Sequence, residues 1–200
     1  IGCVNMHSSL LPQHRGPNPF AAVVLAGDTQ SGVTFHVMEE GIDTGPILDQ
    51  ASFEVTPQDT EMSVYEKCCA LSRERVVALM DRIAREGLAG TPQDSGSASY
   101  DKRLTKDDVW IDWSRPAAEI ERMVRALSPQ LPPRFLCRGH EVQVLRATYD
   151  PAPHNAAPGT VLANRRGVTI ATGEGTLRII MAYTTGAFPM LWPTRRTRPE

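Results

Sequence analysis

Val4-Asn5-Met6-His7-Ser8-Ser9-Leu10-Leu11-Pro12 is followed three residues later by Arg15-Gly16-Pro17-Asn18-Pro19, and then by Gly41-Ile42-Asp43-Thr44-Gly45-Pro46. The first run reads as a short apolar strand from Ile1 to His7 with a polar tip. Alternate residues of a strand share a face, so Asn5 and His7 stand side by side. An amide and an imidazole presented together are suited to stabilise an oxygen that becomes negative during a reaction. Asp43, in a loop bounded by glycines, is the carboxylate expected to orient His7, raise its pKa and favour its cation.

Outward from this core the chain alternates strand and helix signals. Phe20–Ala26 reads as a helix closed by Gly27-Asp28, and Gly32–Glu39 and Leu48–Val55 read as strands. A long helix begins at Thr60, among several capping side chains, and stops at Gly87. Its apolar stripe is read as Met62, Tyr65, Leu71, Val76, Leu79, Met80 and Ile83. Residues 91–99 are small and polar and read as a linker. Pro116–Leu127 reads as a helix capped by Ser114. From Phe135 onwards, short strands at Glu141–Ala147, Gly159–Ala163, Gly167–Ala171 and Thr176–Met181 alternate with glycine turns, a pattern that predicts a small barrel.

The three segments around Asn5, Arg15 and Asp43 resemble the formyltransferases that use 10-formyltetrahydrofolate. That family carries Asn-x-His-x-Ser-Leu-Leu-Pro, then Arg-Gly, then an Asp-x-Gly loop. The strand Gly32-Val33-Thr34-Phe35-His36 is similar to the one before the family's aspartate loop. Tyr100-Asp101-Lys102-Arg103-Leu104, Ile111-Asp112-Trp113, Arg125-Ala126-Leu127 and Ala157-Pro158-Gly159 are similar to the C-terminal domain of the methionyl-tRNA branch. The resemblance implies an α/β fold, the C-terminal part of a Rossmann-like formyltransferase domain followed by a small OB-like β-barrel domain. The implied domains are residues 1–90 for the catalytic half, 91–99 for the linker and 100–200 for the barrel. It also implies an absent βαβ-rich upstream half, so that residues 1–200 alone are expected to aggregate or to be inactive.

The implied activity is transfer of a formyl group from 10-formyltetrahydrofolate to an acceptor amine. Catalysis falls to Asn5, His7 and Asp43, and donor binding to Gly41, Ile42, Asp43 and Gly45. Arg15 is the candidate residue to bind the acceptor or to brace the loop. The favoured acceptor is initiator methionyl-tRNA. The alternatives are a small amine (an amino sugar nucleotide, a hydroxamate precursor or a carrier-bound amino acid) and a non-enzymatic RNA- or protein-binding barrel on an inactive remnant. The run Ser128-Pro129-Gln130-Leu131-Pro132-Pro133 and the stretch from Met181 to Ala187 depart from the methionyl-tRNA pattern. His36 is read as a packing residue and His14 as exposed.

Composition adds boundaries. With 41% hydrophobic and 22% charged residues the chain is ordinary for a globular protein. It has no run near the roughly 20 apolar residues that span a bilayer, so no membrane partner is expected. Residues 1–100 carry 6 Lys/Arg against 13 Asp/Glu, and residues 101–200 carry 15 against 10, so net charge passes from −7 to +5. A basic second half suits a phosphate backbone; RNA rather than DNA is expected. Arg195, Arg196 and Arg198 form a terminal basic cluster. Cys3, Cys68, Cys69 and Cys137 form no Cys-x-x-Cys pair, and no metalloprotease motif occurs. No metal site and a reducing cytoplasmic setting are expected.

Overall fold

The computed structural model describes residues 2–163 and 167–184. Arg166, expected in a turn, and the cluster Arg195, Arg196 and Arg198 lie outside the described residues. The chain forms two compact units, Ile1–Arg103 and Leu104–Glu200.

The first unit is built on an antiparallel sheet of three strands, β1 (Val4–His7), β2 (Gln30–Val37) and β3 (Ile47–Glu54), in that order. The register places Asn5 opposite His36 and His7 opposite Thr34. Residues facing across an antiparallel pair stand closest together, so this register assembles polar side chains from two strands at one point. Helix α1 (Pro19–Ala26) starts with Pro at its first position, where a missing N–H costs nothing, and with the Asn18 side chain accepting from Ala21 N. It ends at Gly27, whose left-handed φ of 77° terminates the helix.

Helix α2 (Glu61–Glu86) starts at a reciprocal capping box. The Thr60 side chain accepts from Ser63 N, and the Ser63 side chain accepts from Thr60 N. Its buried positions are Val64, Cys68 and Leu79, spaced by four and eleven residues, close to one and three helical turns. Of the stripe expected from the sequence, Leu79 is buried, whereas Met62, Tyr65, Val76 and Met80 are exposed. Counting apolar residues missed the thiol: burial pushes the Cys68 pKa up to about 12, and its S–H faces the Gly32 carbonyl at 3.7 Å. Residues 91–101 are hydrogen-bonded into this unit. Thr91 exchanges two backbone bonds with Ile47, Ser99 bonds Pro12 and Arg15, and Asp101 N donates to Arg15 O.

The second unit holds α3 (Ala117–Leu127) and a five-stranded sheet made of β4 (Arg134–Cys137), β5 (His140–Asp150), β6 (Val161–Ala163), β7 (Val168–Ala171) and β8 (Thr176–Thr184). The order is β4-β5-β8-β7-β6, all antiparallel. The β4–β5 hairpin turns on Arg138 (φ 50°) and Gly139 (φ 80°), the paired positive angles of a type I′ turn. Ile120 and Val124 of α3 close a core with Val144, Ala147, Ile170, Leu177 and Ile179. Helix α3 begins at Pro116 without a side-chain cap; Ser114 instead donates to Asp112.

Among the described residues the expected OB-like barrel is not formed. Closure needs the two edge strands to pair. Here β4 and β6 stand at opposite ends of the sheet, and the three residues of β6 are all exposed. A strand that short, with a register shift against β7, offers no ladder for β4 to close on. The described strands make an open sheet with a helix on one face, which alternating short strands do not distinguish from a barrel.

Candidate active site

Asp43 is the hub of a polar cluster in the first unit. Its Oδ2 accepts from the Gly16 backbone N–H at 3.0 Å and lies 3.5 Å from His7 Nδ1. Its Oδ1 lies 3.4 Å from Asn5 Nδ2 and 3.6 Å from His36 Nε2. Asn5, His7 and Asp43, singled out from the sequence, are thus brought together. So is His36, which the sequence reading assigned to packing; it is 2% exposed. Its signal is its register directly opposite Asn5.

The hydrogen bonds fix the tautomers. A carbonyl only accepts, so His36 Nδ1–H donates to Val37 O at 2.9 Å, and its Nε2 accepts from Asn5 Nδ2 at 3.1 Å. By the same argument His7 Nε2–H donates to His14 O at 2.8 Å. His7 Nδ1 then carries the lone pair that faces Asp43. His7 is 6% exposed. Burial depresses its pKa below the ordinary value; the His14 carbonyl and the Asp43 carboxylate oppose that effect without reversing it. The sequence-based expectation of a raised pKa and a resident cation is therefore corrected: desolvation outweighs the carboxylate. His7 rests neutral, with Nδ1 able to take a proton and Asp43 placed to stabilise the resulting charge.

The loop carrying Asp43 is held by distant residues. Asp43 has a left-handed φ of 53°, uncommon for a residue with a Cβ. A Cβ on Gly45 would collide with the Val37 carbonyl oxygen, so only glycine fits there. Gln93 Nε2 donates to Asp43 O and Gly45 O, both at 2.8 Å. Gln93 Oε1 accepts from Arg15 Nε at 3.2 Å and Nη2 at 2.7 Å. Arg15, expected either to meet the acceptor or to brace the loop, is 3% exposed, and its Nη1 donates to Tyr100 OH at 2.5 Å. It braces the aspartate loop through Gln93. Nothing local in Thr91-Pro92-Gln93-Asp94 marks that glutamine.

The loop after β1 is pinned by Thr34, which is fully buried. Its hydroxyl donates to Ser9 O at 2.7 Å and accepts from Leu11 N at 3.1 Å and Gln50 Nε2 at 2.8 Å. Ser9 Oγ donates to Gln13 O at 2.6 Å. Gly41 and Ile42 are exposed, Ile42 by 66%. Among the described residues no group of three or more His, Cys, Asp and Glu is placed to hold a metal, and no helix is long and apolar enough to cross a membrane.

An amide, two imidazoles and a carboxylate around one point form a centre suited to acyl transfer to a nucleophile. The family described as formyl transferase matches residues 1–80, and its C-terminal domain matches residues 103–190. The chain belongs to the formyl transferase family. It is similar to the methionyl-tRNA formyltransferase of Ectopseudomonas mendocina, 39% identical over 191 residues that cover 95% of this chain and 60% of that protein. The chain spans about 60% of the length of the curated relatives it matches. Among solved structures it is similar to a 4-N formyltransferase from Francisella tularensis (TM-score 0.64, 27% identity, 72% of this chain and 61% of that one). In fold it is similar to the N-formyltransferase from Helicobacter canadensis in complex with folinic acid and dTDP-3-aminofucose (TM-score 0.70, 24% identity, 90% of this chain and 66% of that one).

Proposed function

We propose that the protein transfers a formyl group from 10-formyltetrahydrofolate to an amine, and that the amine is the amino group of methionyl-tRNA. The observation that carries this reading is the convergence of Asn5, His7, His36 and Asp43 within hydrogen-bonding or ion-pair reach of one another. The donor fits the residues present. The exposed Ile42 side chain offers apolar surface to a heterocycle beside the polar cluster, and Gly41 and Gly45 keep the loop compact there. Bound, the folate supplies the electrophilic formyl carbon.

Asn5 Nδ2 makes one close bond, to His36, and one long one, to Asp43. The hydrogen on the long bond is the one free to move to an oxygen that gains charge. His7 Nδ1 would take the proton lost by the attacking amine and return it to the donor nitrogen as the old formyl C–N bond breaks, and Asp43 stabilises the imidazolium held in between. Gly16 N–H holds the other side of the carboxylate and fixes its direction. His36 keeps the Asn5 amide turned toward the cluster.

The tRNA acceptor is supported by the similarity to methionyl-tRNA formyltransferases and by the basic balance of residues 101–200. In this reading residues 1–90 carry the chemistry, and the second unit contacts the acceptor. The test is an acceptor panel with the full-length protein, 10-formyltetrahydrofolate, charged initiator tRNA and small amines including an amino sugar nucleotide. Formylation of the charged tRNA, with tRNA binding that weakens steeply with salt, is expected. Turnover of small amines alone would replace the acceptor, and no transfer to any amine would overturn the reading.

A further inference from the structure

His14 is left over by this chemistry. Its two ring nitrogens are occupied: Nε2 lies 2.7 Å from Asp28 Oδ2, and Nδ1 lies 2.8 Å from Asp101 Oδ2. Both nitrogens are committed to carboxylates, and neither serves a substrate. The ring is 14% exposed, far more enclosed than its place in a polar loop suggests. Its backbone is gripped as well. The amide N–H donates to Ser99 Oγ at 2.8 Å, φ is 57°, and the carbonyl accepts from His7 Nε2 at 2.8 Å.

We infer that His14 is a positioning residue whose carbonyl dictates the His7 tautomer, and whose ring, clamped between Asp28 and Asp101, holds that carbonyl in place. Asp28 follows the left-handed stop of α1, and its N–H is tied to Val23 O. Asp101 N donates to Arg15 O, and Arg15 N donates to Ser99 O. Residue 14 is therefore fixed from an α1 terminus on one side and from the 99–101 segment on the other. Which nitrogen of a histidine is protonated is set by the bond the other makes. A carbonyl held at Nε2 reserves Nδ1 for the proton that the reaction delivers. The charged or titratable groups facing the His14 ring are Asp28, Asp101 and, across the cluster, His7.

The role of His7 in turnover rests on the formyl-transfer reading; its tautomer does not. The test is ¹⁵N NMR of the His7 ring in the full-length protein, with steady-state kinetics alongside. His14→Asn tolerates a left-handed φ but cannot span both carboxylates. His14→Arg supplies a planar group with donors able to meet both. The expected result is a pure Nε2–H signal for His7 in the native protein and a mixed-tautomer signal in His14→Asn. That variant is expected to lose up to about 100-fold in kcat with KM little changed, and His14→Arg is expected to recover both readouts. Should His14→Asn fail to fold, Asp101→Asn, which releases half the clamp, must show a weaker form of the same NMR change. An unaltered His7 signal in these variants overturns the inference. Absence of formyl transfer in the native protein would sink the proposed function and leave the NMR result to decide this one.

Discussion

The aspartate-loop cluster of the first unit and the apolar core of the second are held by opposite means. Around Asp43, order comes from polar side chains with defined directions: Gln93 bonds two carbonyls and a guanidinium, and Thr34 makes three hydrogen bonds at one oxygen. Around Leu177, order comes from non-directional burial of Ile120, Val124, Val144 and Ile179. A directional network places atoms to within a fraction of a bond length but leaves unpaired groups when cut. An apolar core supplies stability and tolerates reshaping. The comparison predicts that substitutions in the two regions separate stability from turnover.

The largest expected effect is in the second unit. Leu177, with no exposed surface, should lose about 2–5 kcal/mol of stability as Leu177→Ala, measured by urea unfolding. Next, Asn5→Ala should raise the barrier to formyl transfer by about 2.7–4 kcal/mol, with the midpoint of thermal unfolding close to native. A fall in the unfolding midpoint that matched the lost turnover would erase the contrast. Smaller again, Thr34→Val should cost about 1–3 kcal/mol, because Ser9 O and Leu11 N stay buried without their partner.

The smallest effect is a pH dependence. The folded-state pKa of His7 is below 6.5, so as acid is added the unfolded chain binds that proton first. The stability of neutral, buried His7 is complete above pH 6.5 and is lost as pH falls through the folded value. Unfolding free energy measured between about pH 7.5 and 5 should fall more steeply in the native protein than in His7→Gln. At lower pH, Asp59 adds a second loss. Burial raises its pKa, but Lys67, Ser63 and Thr56 together hold it well below 3.8, so its contribution disappears as acid passes below that value.

The contrast also explains what the sequence made legible. Asn5, His7 and Asp43 stood out because rare polar residues on an apolar strand and in a glycine-bounded loop need a reason. Helix α2 stood out through its caps, Thr60 and Gly87. His36 was hidden because a mid-strand histidine gains meaning only from the register that sets it opposite Asn5. Gln93 and the His14 carbonyl were hidden because their partners lie 50 and 7 residues away and depend on tertiary contacts. The open sheet was read as a barrel because strand spacing reports how many strands there are, not whether β4 meets β6. The lowered His7 pKa was missed because burial, unlike a neighbouring carboxylate, leaves no local mark.

Asp43 offers the most direct measurement. Asn adopts a left-handed backbone readily, and its side-chain oxygen can still accept from Gly16 N–H, so Asp43→Asn removes the charge and keeps the shape. Single-turnover formyl transfer by the full-length variant should fall by about 100-fold or more while folate affinity stays near native. A rate equal to that of the native protein would contradict the claim that this carboxylate and the His7 imidazole work as a pair.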